Sequence, residues 1–147
     1  MTSKAKWMFR ASGLIAPGFA LMCVKPGSQL SKNVNLGITV TLASIYTITV
    51  IDGILIKNKK ADFFSFEGVC KIFETASKET MMIIWIHMVI WDLFVGGFIA
   101  NDYSQNIVKT KWTKAYNVLC LLCTMMFGPT GFLLHLLGKN TFLPQLK

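Results

Sequence analysis

The apolar positions of this chain fall into four long runs that are separated by short polar segments. The runs cover Trp7–Val24, Val34–Ile56, Thr80–Ala100 and Ala115–Leu137. A helix needs about 20 apolar residues to cross the hydrocarbon core of a bilayer, and each run has roughly that length. The sequence therefore predicts an all-α fold for residues 1–147, a single membrane domain with four transmembrane helices.

Two of the four runs contain residues that interrupt helices. Gly13, Pro17 and Gly18 lie in the first run, and Gly128-Pro129 lies in the last third of the fourth. Proline lacks an amide hydrogen and clashes with the preceding helical turn, so helices kink where it occurs. We expect a kinked first span and a bent fourth span, each continuing across its break.

The segment between the second and third runs is amphipathic. Its apolar residues recur at helical spacing and alternate with charged ones, namely Phe63, Phe66, Val69, Cys70 and Phe73 with Glu67, Lys71 and Glu74. The charged side chains need water while the opposite face favours lipid. The pattern predicts a short helix between residues 61 and 78 that lies along the membrane surface, on the same side as both termini.

Composition and charge agree with a membrane protein. Hydrophobic residues make up 53% of the chain, above the usual share of soluble domains, and the net charge is +8. The basic residues are spread over several loops and do not form one aromatic-rich face, which disfavours nucleic acid. Anionic lipids or other membrane subunits are the expected partners.

Charge also gives an expected orientation. With four spans, both termini share the side that holds more lysines, and the positive-inside rule places that side toward the cytosol, stroma or matrix. Asp52, near the end of the second run, is expected to reach the interface or to pair with a lysine among Lys57, Lys59 and Lys60.

Two histidines and one aspartate lie within the third and fourth predicted spans: His87, Asp92 and His135. Such groups are candidates for function because burying them is costly. His87 and Asp92 diverge by about 140° around one helix, so a joint site needs a second helix, and His135 is expected at the depth of His87. The cluster could hold a metal or polarise an oxygen of a lipid-soluble substrate. We predict instead a structural polar core that packs spans three and four, without metal or cofactor.

The motif around His87 resembles a known family. The stretch Trp85-Ile-His-Met-Val-Ile-Trp-Asp-Leu-Phe94, followed by Asn101-Asp102, is similar to the pattern of the neoxanthin synthase-like family, small plastid-type membrane proteins. Phe127-Gly-Pro-Thr-Gly131 with His135 resembles the family's ending, and the resemblance covers nearly the whole chain. It implies four transmembrane helices and, for plant members, conversion of the epoxide carotenoid violaxanthin to the allenic neoxanthin. His87, Asp92, Asp102 and His135 are then the candidate catalytic residues.

Two functions follow from these observations. One is a carotenoid isomerase in a plastid membrane, in which His87 and Asp92 assist epoxide opening by proton transfer. The other is a non-catalytic accessory subunit of a large membrane complex, such as a respiratory assembly of the mitochondrial inner membrane. Gly97 stands where family members usually carry an arginine, no transit peptide precedes Trp7, and the termini are basic. These departures favour the accessory subunit, and we expect the chain alone not to form neoxanthin.

Overall fold

The computed structural model describes residues 3–52, 65–141 and 143–145, and most of them are helical. The helices are α1 Ser3–Ser12, α2 Ile15–Val24, α3 Gln29–Ile51, α4 Phe66–Thr75, α5 Lys78–Asn106, α6 Lys111–Phe127 and α7 Pro129–Thr141. In this part of the chain, strand-like pairing is limited to one bridge between Ile107 and Gln145. The predicted all-α fold is confirmed.

Helix α5 lies at the centre of the bundle and packs against α1, α2, α3, α6 and α7. Its inner face buries Ile86, Leu93 and Ile99 completely, while Trp91 and Phe94 remain exposed on its outer face. Exposed apolar surface of this kind is favourable where lipid covers it. Three helical stretches of the described chain are long and apolar enough to cross a membrane: Ser3–Val24, Gln29–Ile51 and Lys78–Asn106.

The first predicted span is interrupted, as expected from its glycine and proline content. The break falls at Gly13 and Leu14, between α1 and α2, and the Gly13 amide bonds the Arg10 carbonyl oxygen at 3.1 Å. Pro17 causes no break because it is the third residue of α2, where an amide hydrogen has no partner within the helix. The helical stretch also begins earlier than predicted, at Ser3.

Serine caps extend two other helices beyond their predicted starts. The Ser28 side chain accepts from the Ser31 amide at 3.2 Å, so α3 begins at Gln29 and not at Val34. The Ser77 side chain accepts from the Thr80 amide at 3.2 Å, so α5 begins at Lys78. Each cap satisfies an amide that the first helical turn leaves unpaired. The predicted end of the second span at Ile56 lies outside the described residues.

The predicted amphipathic segment forms helix α4. It is capped by Ser65, whose side chain accepts from the Gly68 amide at 3.0 Å. The helix is confirmed over Phe66–Thr75, while Phe63 lies outside the described residues. Its position along a membrane surface stays a prediction.

The fourth predicted span, Ala115–Leu137, is not one continuous helix. Gly128 adopts a φ of 56°, in the region that favours glycine, and it separates α6 from α7. The chain then turns back, because Gly131 packs against Thr124 and the Tyr116 hydroxyl donates to the Leu134 carbonyl oxygen at 2.6 Å. Helices α6 and α7 therefore form an antiparallel pair, which we call the α6–α7 hairpin.

The hairpin places the two ends of the described chain at opposite ends of the bundle. The Val108 amide donates to the Pro144 carbonyl oxygen at 3.0 Å, beside the turn that follows α5. At the other end, the Lys4 ammonium lies 2.8 Å from Asp52 Oδ2. We call these the C-terminal end and the N-terminal end of the bundle. The prediction that both termini share one side is thereby corrected for residues 3–145.

This arrangement also changes the charge distribution on which the predicted orientation depended. The N-terminal end carries Lys4, Lys6, Arg10, Lys71 and Lys78 among the described residues. The C-terminal end carries Lys25, Lys32, Lys109, Lys111, Lys114 and Lys139. The positive-inside rule needs a clear difference between the two sides. Among the described residues, five basic side chains lie at the N-terminal end and six at the C-terminal end, so this part of the chain shows no excess at its N-terminal end.

Candidate functional site

A group of charged and polar side chains around the buried Asp102 and His135 joins α5 to α7 near the C-terminal end of the bundle. Asp102 is only 8% exposed and His135 only 1%. His135 Nε2 lies 2.8 Å from Asp102 Oδ2, while Lys139 Nζ and Asn106 Nδ2 donate to Asp102 Oδ1 at 2.7 and 2.6 Å. We call these four residues the Asp102 cluster. Its hydrogen bonds offset the cost of burying the carboxylate.

Helical spacing explains how the Asp102 cluster assembles. Asp102 and Asn106 are four residues apart on α5, and His135 and Lys139 are four residues apart on α7. Residues at this spacing share one face of a helix. Antiparallel return of α7 brings the two faces together, and the ammonium of Lys139, whose side chain is 31% exposed, reaches toward the surface. The cluster therefore fixes the end of the α6–α7 hairpin against α5.

Asp92 lies in a different environment, at the middle of α5. Its position is about 21 Å from either end of that helix at 1.5 Å per residue. The hairpin turn packs beside it, since a Cβ atom at Gly128 would lie 3.3 Å from Asp92 Oδ1. Asp92 is half-buried, and the described residues offer it neither a hydrogen bond nor an ion pair. It is a carboxyl group without a structural partner in that part of the chain.

His87 lies on the outer surface of the bundle. It is exposed, accepts a hydrogen bond from Trp91 Nε1 at 3.2 Å, and stacks at a tilt on Tyr46 of α3 with ring centroids 5.2 Å apart. The structure therefore does not bring His87, Asp92 and His135 into one cluster. The hairpin is the reason, because it carries His135 back to the C-terminal end, where Asp102 binds it.

Sequence reasoning missed two members of the Asp102 cluster, Asn106 and Lys139. The signal available was their spacing of four residues from Asp102 and from His135. Among the described residues, no group of three or more histidine, cysteine, aspartate or glutamate side chains is arranged to hold a metal ion. The Asp102 cluster contains one histidine and one carboxylate, and a lysine occupies the other side of that carboxylate.

Gly97, where the resemblance in the sequence led us to expect an arginine, lies on the opposite side of α5 from the hairpin. A Cβ atom at Gly97 would lie 3.2 Å from Asn35 Nδ2 of α3. Asn35 is buried, and its Nδ2 donates to the Leu93 carbonyl oxygen at 3.3 Å. An arginine at position 97 would therefore project between α3 and α5, away from both Asp92 and the Asp102 cluster.

Comparison with known proteins identifies the family. The sequence profile of the ABA DEFICIENT 4-like proteins matches residues 7–135, which include the motif around His87 as well as Asp102 and His135. The chain belongs to the ABA DEFICIENT 4-like family. This confirms, at the level of the family, the resemblance found in the sequence.

One similar protein carries a chloroplast name. Over 141 residues the chain is 26% identical to "Protein ABA DEFICIENT 4, chloroplastic" of Arabidopsis thaliana, and the alignment covers 90% of this chain and 60% of that protein. The chain thus matches about three fifths of the relative's length. No solved structure matches the chain. The chloroplast name favours the plastid alternative, and nothing in these comparisons supports a mitochondrial respiratory subunit.

Proposed function

We propose that this chain acts in a plastid membrane in the conversion of violaxanthin to neoxanthin. The observation that carries the proposal is the match of the ABA DEFICIENT 4-like family over residues 7–135. The chloroplast relative supports the location. The accessory-subunit hypothesis depended in part on Gly97. Gly97 lies away from Asp92 and Asp102. An arginine at position 97 would therefore not contact either carboxyl group, and its absence is no argument against their function.

The fold is suited to a lipid-soluble substrate. Three helical stretches have the length and apolarity of membrane spans, and large side chains such as Trp85, Trp91 and Phe98 are exposed around α5. A carotenoid partitions into the same hydrocarbon that covers this surface. Such a substrate would reach the bundle laterally from the bilayer.

The reaction is an isomerisation that moves protons. The epoxide oxygen gains a proton as one of its carbon–oxygen bonds breaks, and a carbon atom loses a proton as the allene forms, so the formula is unchanged. A group that both gives and accepts a proton in a water-poor site can serve both steps. Asp92 fits this role best, because it is an intramembrane carboxyl group without a partner among the described residues.

The other candidate residues have different roles in this proposal. Asp102 already binds both His135 and Lys139, so Asp102 and His135 act as positioning residues that hold the hairpin turn beside Asp92. His87 is directed toward Tyr46 and Trp91 and diverges from Asp92 by about 140°. It is not expected to share a proton with Asp92.

The test is expression in a host that makes violaxanthin and lacks neoxanthin. We expect neoxanthin to accumulate with the unchanged chain, and Asp92→Asn to abolish it at equal protein level. Glu74→Gln, at an exposed carboxylate of α4, is the matched control and should leave the yield unchanged. Absence of neoxanthin with well-folded protein in the membrane would overturn the proposal. A stoichiometric complex recovered from that membrane would then favour the accessory subunit.

A further inference from the structure

A cleft runs along the outside of the bundle between α3 and α5. Its volume is about 340 Å³, within the range of small-molecule sites. Its walls are mainly apolar and include Leu36, Leu93, Phe94 and Phe98. It is separate from the Asp102 cluster, because its member Asn101 and the neighbouring Asp102 diverge by about 100° around α5. We call it the α3–α5 cleft.

The polar groups of the α3–α5 cleft are concentrated at the C-terminal end of the bundle. Lys32 lies in the first turn of α3 and Asn101 in the second-last turn of α5. From Asn101 the cleft extends to Leu93, about 12 Å toward the middle of the bundle. The cleft therefore has a polar mouth near the ends of α3 and α5, where a membrane interface is expected, and an apolar interior toward the middle of the bundle.

The mouth of the cleft presents hydrogen-bond donors without acceptors. Lys32 is exposed and forms no ion pair within residues 3–52, 65–141 and 143–145. Asn101 Oδ1 accepts from Gln105 Nε2 at 3.3 Å, while its own Nδ2 donates to no group in the same ranges. The cleft lining includes no carboxylate among the described residues. This arrangement is complementary to an anion that has several acceptor oxygens.

Gly97 keeps the interior of the cleft open. It lines the cleft between Leu93 and Asn101, and its missing Cβ atom would lie 3.2 Å from Asn35 Nδ2. A leucine at this position would project into the cleft. The glycine therefore leaves space for an elongated apolar group, and a larger side chain at position 97 would fill that space.

We propose that the α3–α5 cleft binds one anionic glycerolipid, taken from the leaflet at the C-terminal end of the bundle. The Lys32 ammonium and Asn101 Nδ2 bind the headgroup anion, and part of one acyl chain lies against Leu36, Leu93 and Phe98. A basic residue at the end of a span attracts anionic lipid, and its long stem lets the ammonium reach the headgroup. This site is independent of the proposed activity.

Lipid titration of the purified full chain in detergent tests the site, with native mass spectrometry to count bound lipids. We expect saturable binding of one phosphatidylglycerol, at least tenfold tighter than phosphatidylcholine. Lys32→Gln should weaken the binding of phosphatidylglycerol about fivefold, because one interfacial cation contributes about 1 kcal/mol to the binding of anionic lipid. Lys114→Gln, which removes an exposed lysine from α6 at the same end, should leave the affinity unchanged.

A second pair of variants tests the acyl-chain part. Gly97→Leu should abolish saturable binding, whereas Gly37→Leu, at an α3 glycine where an added Cβ atom would have nothing within 4 Å, should not. Equal affinity for both lipids, equal effects of the two lysine variants, or unchanged binding by Gly97→Leu would each overturn the proposal. Violaxanthin binding that Gly97→Leu abolishes and Lys32→Gln spares would assign the cleft to carotenoid instead.

Discussion

Removal of the Asp102 carboxylate should destabilise the bundle because it leaves the buried His135 without its hydrogen-bond partner. In Asp102→Ala, His135 is 1% exposed and cannot turn to water, so its ring loses its partner at a cost of about 1–3 kcal/mol. Asn106 is exposed and can bond water instead, so the loss of its charge-assisted bond adds only the lower end of the usual range, about 1.5 kcal/mol. The side chain of Lys139 is 31% exposed, so its ammonium can turn to solvent and adds little.

The expected total is about 3 kcal/mol, at the lower end of the 3–5 kcal/mol typical of breaking a buried ion pair. For a chain of this length it corresponds to a fall in Tm of roughly 6–12 °C. Thermal unfolding of the purified protein in detergent, followed by helical circular dichroism, measures this change. Glu67→Ala, at an exposed carboxylate of α4, is the control and should change the stability by less than about 0.5 kcal/mol.

A double-mutant cycle separates the cluster from general effects of the substitution. His135→Leu removes the same hydrogen bond from the other side, so the double variant Asp102→Ala/His135→Leu should be less unstable than the sum of the two by about 1–2 kcal/mol. Strict additivity, or an Asp102→Ala protein as stable as Glu67→Ala, would show that the Asp102 cluster does not hold α7 against α5.

Two further predictions concern the α6–α7 hairpin. In a variant without the native cysteines, single cysteines placed at Ser3 and at Gln145 should be labelled from opposite sides of a membrane. The reason is that these two residues lie at opposite ends of the bundle. Labelling of both from the same side would instead support the four-span topology. Gly131→Ala should destabilise the fold by at least about 1–3 kcal/mol, since the added Cβ atom would clash with Thr124 and the Cys120 carbonyl oxygen. Gly37→Ala, in open space on α3, should instead stabilise it by about 0.5–1 kcal/mol, and thermal melts of the two variants compare them directly.

Much of the local structure was determined by the sequence alone. The apolar runs predicted where helices form, because burial in lipid or in a core requires long helical stretches, and the helical spacing of Phe66 and Phe73 predicted α4. The motif around His87 identified the family. Intramembrane charge also singled out His87, Asp92 and His135 as residues that need an explanation, and the family resemblance added Asp102.

The tertiary structure decided which of these residues meet. Gly128-Pro129 predicts a break in the fourth run, but the sequence does not say in which direction the chain leaves it. The direction depends on the positive φ of Gly128 and on the close contact of Gly131 and Gly138 with α6, where a side chain would clash. That return pairs His135 with Asp102 and leaves His87 beside Tyr46. Helix formation is local and readable from periodicity, whereas the pairing of distant side chains follows from how the helices pack.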